Sequence, residues 1–110
     1  MNLSDKAKSL GLEEVELREL LQLFVETSLS DLQKLQLAID QGQSELAAAA
    51  AHSVKGAARS FGFDELAGKV EKIELRARRN NLDHSRDVLR AVRLEIDEIA
   101  QLLRTGPTSQ

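Results

Sequence analysis

Apolar residues recur along this chain at steps of three and four, the spacing that lines one side of an α-helix. From Glu13 to about Gln41 the positions Leu17, Leu20, Leu21, Phe24, Val25, Leu32, Leu35 and Ile39 keep that step. A run of about 29 residues would reach roughly 43 Å at 1.5 Å per residue, so a bend or break is expected at Thr27 to Ser30, where Ser and Thr compete for backbone hydrogen bonds. Gly42 ends the run. Ser44 is the expected N-cap of the next helix, which stops where Gly62 can take a positive φ. Asp64 is expected to cap a helix over Glu65 to Arg79, with Leu66, Val70, Ile73 and Ala77 on one face and Asn80-Asn81 as the turn that follows. Asp83 caps the last helix, whose Leu89, Val92, Ile96, Ile99 and Leu103 alternate steps of three and four. Ahead of all these, Met1 to Leu10 predicts a short extra helix with Ser4 as N-cap and Gly11 past its end. The pattern therefore predicts an all-α fold: an antiparallel up-down-up-down four-helix bundle with a short N-terminal helix in front.

Composition narrows what such a bundle can do. At 110 residues the chain fits one domain, expected over 1–104, with a Gly/Pro/Ser/Thr-rich tail at 105–110. The absence of cysteine excludes disulfides and cysteine zinc sites, and a cytoplasmic setting is the expectation. No basic stretch leads into an apolar run, and no apolar segment approaches ~20 residues, so no signal peptide or membrane span is expected. A net charge of −3 with three aromatic residues argues against nucleic acid as a partner. The arginines at 76, 78, 79, 86, 90 and 93 make a locally basic strip, which reads better as a solvated helix face. His84, beside Asp83, has no second ligand at zinc spacing and reads as a surface residue. No paired Glu-x-x-His elements suggest a di-metal centre, so no metal and no cofactor are expected.

One stretch departs from scaffold. In Ala51-His52-Ser53-Val54-Lys55-Gly56-Ala57-Ala58-Arg59-Ser60-Phe61-Gly62, a histidine, a lysine and a glycine interrupt an alanine-rich helix. A mid-helix glycine costs roughly 1 kcal/mol against alanine, and this segment has alanine on every side. Such a local inconsistency points to a functional demand. With His52 at zero on a wheel of about 100° per residue, Ala47, Ala50, Val54, Ala57, Ala58 and Phe61 form the buried arc opposite. Arg59 then falls about 20° from His52, Gly56 about 40° to one side and Lys55 about 60° to the other. The four share an exposed face. Gly56 removes a side chain that would crowd the ring, and Lys55 and Arg59 put positive charge where an anion on the ring would sit. Imidazole with cations and open access suits a phosphoryl carrier. The ring attacks only through a nitrogen that lacks a proton, so an acceptor must hold the other one as a donor. For Arg59 the plain alternative, a solvated arginine, stands beside the functional one.

His52-Ser53-Val54-Lys55-Gly56, with Gly62 six residues on, resembles the motif of the histidine-containing phosphotransfer (HPt) family: His-x-x-Lys-Gly and a second glycine. Within that family, His52 to Phe63 is similar to the N-terminal phosphotransfer domain of chemotaxis histidine kinases, which also reads His-Ser-hydrophobic-Lys-Gly and Phe-Gly-Phe. The resemblance runs from Leu23-Phe24-Val25 through the last helix. Val54, where leucine is commoner, is the departure, and it falls on the buried face. The resemblance implies phosphorylation of His52 on Nε2, in exchange with an aspartate of a response-regulator receiver domain or by a histidine kinase. It gives Lys55 a phosphoryl-stabilising role and Gly56 the role of admitting the partner. It also implies that Glu74, twenty-two residues after the histidine, accepts from Nδ1 and fixes the tautomer. The plain readings of Glu74 are a solvated helix charge or an i,i+4 pair with Arg78. Gly62 reads as a structural helix stop.

No Gly-rich nucleotide loop is present, so the expected role is a phosphorelay intermediate that carries phosphate without an ATP site of its own, and so is no enzyme. The other function class is a non-phosphorylated helical adaptor that docks receivers or partner helices. A monomer is expected, and the Met1 start with a polar tail favours a free-standing carrier over a piece of a larger kinase. Gly68, mid-helix, is a second costly glycine, with close helix approach as its only evident reason.

Overall fold

A computed structural model describes residues 1–105; the expected tail beyond Thr105, with Pro107, lies outside them. Five helices follow one another: α1 (Leu3–Ser9), α2 (Glu14–Asp40), α3 (Ser44–Ser60), α4 (Asp64–Ala77) and α5 (Ser85–Arg104). Helix α2 packs on α3 and α5, α4 packs on the same two, and among the described residues no diagonal pair of helices packs together. With short connections between successive helices, this ring is the antiparallel bundle the periodicity predicts, and α1 leans on α2 while its Lys6 lies over the Phe63 ring of the α3–α4 turn. Among the described residues no helix is long and apolar enough to cross a membrane.

The core follows the stripes. Leu17, Leu21, Leu32 and Leu35 of α2, Val54 of α3, Val70 of α4 and Val92 and Ile96 of α5 are fully buried, each contributing roughly 1.5–3 kcal/mol of transfer free energy. Leu20, expected on the stripe, is 43% exposed; it lies at the margin of the buried arc, about 80° from its centre. Phe24, Phe61 and Phe63 cluster with ring centroids 5.3 to 5.9 Å apart. They lock the α3–α4 turn onto α2.

Helix α2 runs unbroken through Thr27 to Ser30, so the break allowed for there is absent. Ser28 is buried with its Oγ unpartnered among the described residues, so its hydroxyl does not compete for the backbone. Several caps also differ. Asn2, not Ser4, caps α1, its Oδ1 accepting from the Asp5 N–H at 3.0 Å. Gln43, Phe63 and His84 precede α3, α4 and α5 where Ser44, Asp64 and Asp83 are expected, and none of the three caps through its side chain. Asp64 instead sits in the first turn of α4, where its charge still favours the helix dipole. His84 is exposed and left-handed at φ 62°, closing the turn begun by left-handed Asn80. Gly62 has φ +72°. Its N–H donates to the Arg59 carbonyl at 3.0 Å and that of Phe63 to Ala58 at 2.9 Å, the paired bonds that end a helix around a left-handed residue.

Gly68 is not a close-approach glycine. It is exposed, and a Cβ built there meets nothing within 4 Å. Gly68→Ala should therefore raise stability by about 1 kcal/mol, read as a higher denaturant midpoint at unchanged slope.

Candidate functional site

Buried alanines set the position of α3. Ala47, Ala50 and Ala58 are covered along with Val54, which turns His52 outward on the opposite side. The His52 side chain is 63% exposed. Its Nδ1 lies 2.9 Å from Oε2 of Glu74 on α4. Nε2, across the ring, faces away from that carboxylate.

Glu74 is not the solvated helix charge of its plain reading, being 2% exposed. It sits on the flank of α4 that meets α3, and side chains from both helices close over it. Lys55 Nζ forms an ion pair with Oε1 at 2.6 Å. Arg78 donates from Nη2 and Nε to Oε2 at 2.7 and 3.2 Å, so the i,i+4 pair exists alongside the histidine contact. Burial alone would push the Glu74 carboxyl up. Lys55, Arg78 and His52 outweigh it and hold the group down at about 2. The carboxylate is therefore ionised at neutral pH and can only accept. The hydrogen bond then places the ring proton on Nδ1, and in the neutral ring Nε2 keeps its lone pair. An outward nitrogen with a free lone pair is a nucleophile.

The other predicted residues gather unequally. Lys55 leaves the open face: its side chain is only 13% exposed, drawn toward α4 by Glu74 and by Glu71, whose Oε2 is 3.8 Å from Nζ. Arg59 stays 53% exposed and donates to Glu71 Oε2 at 2.6 Å. A pair this exposed contributes at most about 1 kcal/mol. Gly56 is exposed, and a Cβ there would meet nothing within 4 Å. Nothing inside the protein requires a glycine at this position.

Two participants escape sequence reasoning. Glu71 answers both cations of α3, and its only signal is a Glu71/Glu74 spacing on α4 that complements Lys55/Arg59 on α3. Asp31 accepts from Ser53 Oγ at 2.8 Å, tying α2 to α3 beside His52. Of the basic strip, Arg78 enters the site, whereas Arg86 and Arg90 pair with Asp40 and Asp87. Among the described residues no group of three or more His, Cys, Asp or Glu could hold a metal ion.

A search of curated proteins gives no match. Among solved structures, histidine-containing phosphotransfer protein B (HptB) from Pseudomonas aeruginosa PAO1 is similar at 29% identity and a TM-score of 0.75, over 84% of this chain and 80% of that one. The family model for the Hpt domain matches residues 19–102, which takes in α3, α4 and most of α2 and α5. An outward histidine in a helical bundle, matched over that length, identifies the chain as a member of the Hpt domain family, with the phosphotransfer role in two-component signalling that this membership carries.

Proposed function

We propose that this chain is a phosphorelay intermediate in which His52 takes a phosphoryl group on Nε2 and passes it on, exchanging with the aspartate of a receiver domain or accepting from a histidine kinase. The observation that carries the reading is an exposed imidazole whose Nδ1 is held by a buried carboxylate 2.9 Å away. In transfer from an aspartyl phosphate, the Nε2 lone pair attacks phosphorus and the P–O bond to the acyl oxygen breaks. Its electron pair returns to the receiver carboxylate. The ring keeps its Nδ1 proton and becomes positive, a charge that Glu74 stabilises directly. Donation to the next aspartate runs the same steps backwards, leaving a neutral ring. Such transfers depend on positioning and electrostatics more than on covalent chemistry by the protein. Lys55 acts through its field beside the ring, Arg59 reaches the phosphoryl oxygens from two turns away, and Gly56 lets the partner approach.

The test is incubation with a panel of receiver domains phosphorylated by acetyl phosphate, and with histidine kinases supplied with ATP. Wild-type chain should acquire an acid-labile, base-stable label that mass spectrometry locates at residue 52. No label from any donor, with stable complexes still forming, would establish the adaptor reading instead. Gly56→Gln separates access from folding: it should lower the transfer rate by roughly tenfold or more through misplacing the partner. It should also raise helix stability by a few tenths to 1 kcal/mol, because glutamine is the better helix former. Undiminished transfer would remove Gly56 from the docking surface.

A further inference from the structure

Five charged side chains form one linked cluster that meets the ring through Glu74: Lys55, Arg59 and Arg78 against Glu71 and Glu74. They differ sharply in how firmly they are held. Lys55 and Glu74 are both nearly covered and face each other at 2.6 Å, so separating them would strand a buried charge. Arg59 and Glu71 meet at 2.6 Å with half and a third of their side chains in solvent, a contact that water can replace. Arg78 is as exposed but is held by two bonds to the buried Glu74, so Arg59 is the cation free to change partners, and Glu71 is the anion it must leave. Arg59 follows His52 by seven residues and shares its helix face, so its long side chain can swing toward a group on the ring.

We infer that Glu71 is a positioning residue that limits how tightly His52 retains its phosphoryl group, by competing with that group for Arg59 and by drawing on Lys55. With a neutral ring the cluster carries one net positive charge. Transfer of the phosphoryl group adds one negative charge overall, with the dianion on phosphate and the positive charge on the ring. Glu71 brings the balance to zero in the phosphorylated state, where its absence would leave a stabilising excess of positive charge. Its function is to keep the phosphoryl group transferable. The inference rests on the phosphorelay reading and adds to it a residue outside the His-x-x-Lys-Gly motif.

Glu71→Gln keeps the size and removes the charge, and a residue with a side chain one-third exposed tolerates the change. The experiment uses the receiver domain that labels wild type best. The equilibrium ratio of phosphohistidine to phosphoaspartate is measured at low and high salt. Loss of one negative charge near the ring should shift that ratio toward phosphohistidine by roughly three- to tenfold at low salt, and less at high salt. Glu71→Asp should stay near wild type. In an Arg59→Gln background the Glu71→Gln shift should shrink, because the cation it releases is gone. An unchanged ratio, a shift toward the receiver, or an undiminished shift without Arg59 overturns the inference while wild-type labelling stands. A wild-type chain that takes no phosphoryl group overturns the phosphorelay reading and this one together.

Discussion

A His52→Gln chain should take up no phosphoryl label from any donor that labels wild type, while unfolding within about 1 kcal/mol of it. The two halves of this expectation rest on different observations. Chemically, glutamine has no nitrogen lone pair comparable to that of neutral imidazole, so the loss is complete rather than partial. The other histidine, His84, is exposed beyond the end of α4 and lacks a partner like Glu74 among the described residues. It should not substitute. Structurally, the His52 side chain is 63% exposed, and its one hydrogen bond goes to a carboxylate that keeps Lys55 and Arg78. Losing one partly solvated bond costs on the order of 1 kcal/mol. Residual label on His52→Gln, or its unfolding well before wild type, would contradict the assignment of His52 to transfer and not to packing.

Glu74 should give the second large effect, and two variants separate its two jobs. Glu74→Ala removes the acceptor from Nδ1, letting the ring sample the tautomer that protonates Nε2. By analogy with the partners that orient metal-binding histidines, transfer should slow roughly 10- to 100-fold. Nitrogen NMR of the ring should show the tautomer shift. Glu74→Gln keeps an acceptor oxygen in the same place and should retain most of the rate, but it loses the charge. That loss appears in stability against pH. The carboxyl is held at about 2, below its ordinary value of 4.5. A depressed folded value means that the contribution is complete above the unfolded value and disappears as pH falls through the folded one. Wild type should therefore lose roughly 3 kcal/mol between about pH 5 and pH 2 that Glu74→Gln does not. Parallel stability curves for the two chains across that window would show that Glu74 is not the buried, paired carboxylate described above. An unchanged tautomer ratio and rate in Glu74→Ala would count against its role in transfer.

Gly56 and Gly68 illustrate how a sequence oddity acquires meaning. Both are expensive in a helix, both stand in open space, and neither is needed by the bundle. Only Gly56 lies one turn from the exposed ring. The same local signal therefore supports a role in one case and leaves the other without an account from packing.

The sequence by itself determined the all-α bundle, its helix order, the outward face of His52 and the motif that names the family, because helical periodicity and short turns are local properties. Cap positions one or two residues off, and the unbroken α2, show the limit of that locality: whether Ser28 breaks a helix depends on what its hydroxyl meets. Tertiary structure alone decided the electrostatics of the site. The register of α4 against α3 makes Glu74 a buried carboxylate rather than a solvated helix charge, pulls Lys55 off the open face and brings Glu71 to Arg59. Residue spacing points to Glu74 and Glu71 but does not encode their burial or their ion pairs. They arise because Val54 and the alanines of α3 and Leu66, Val70 and Ile73 of α4 bury together in one arrangement, and the charged flanks are carried into contact with them.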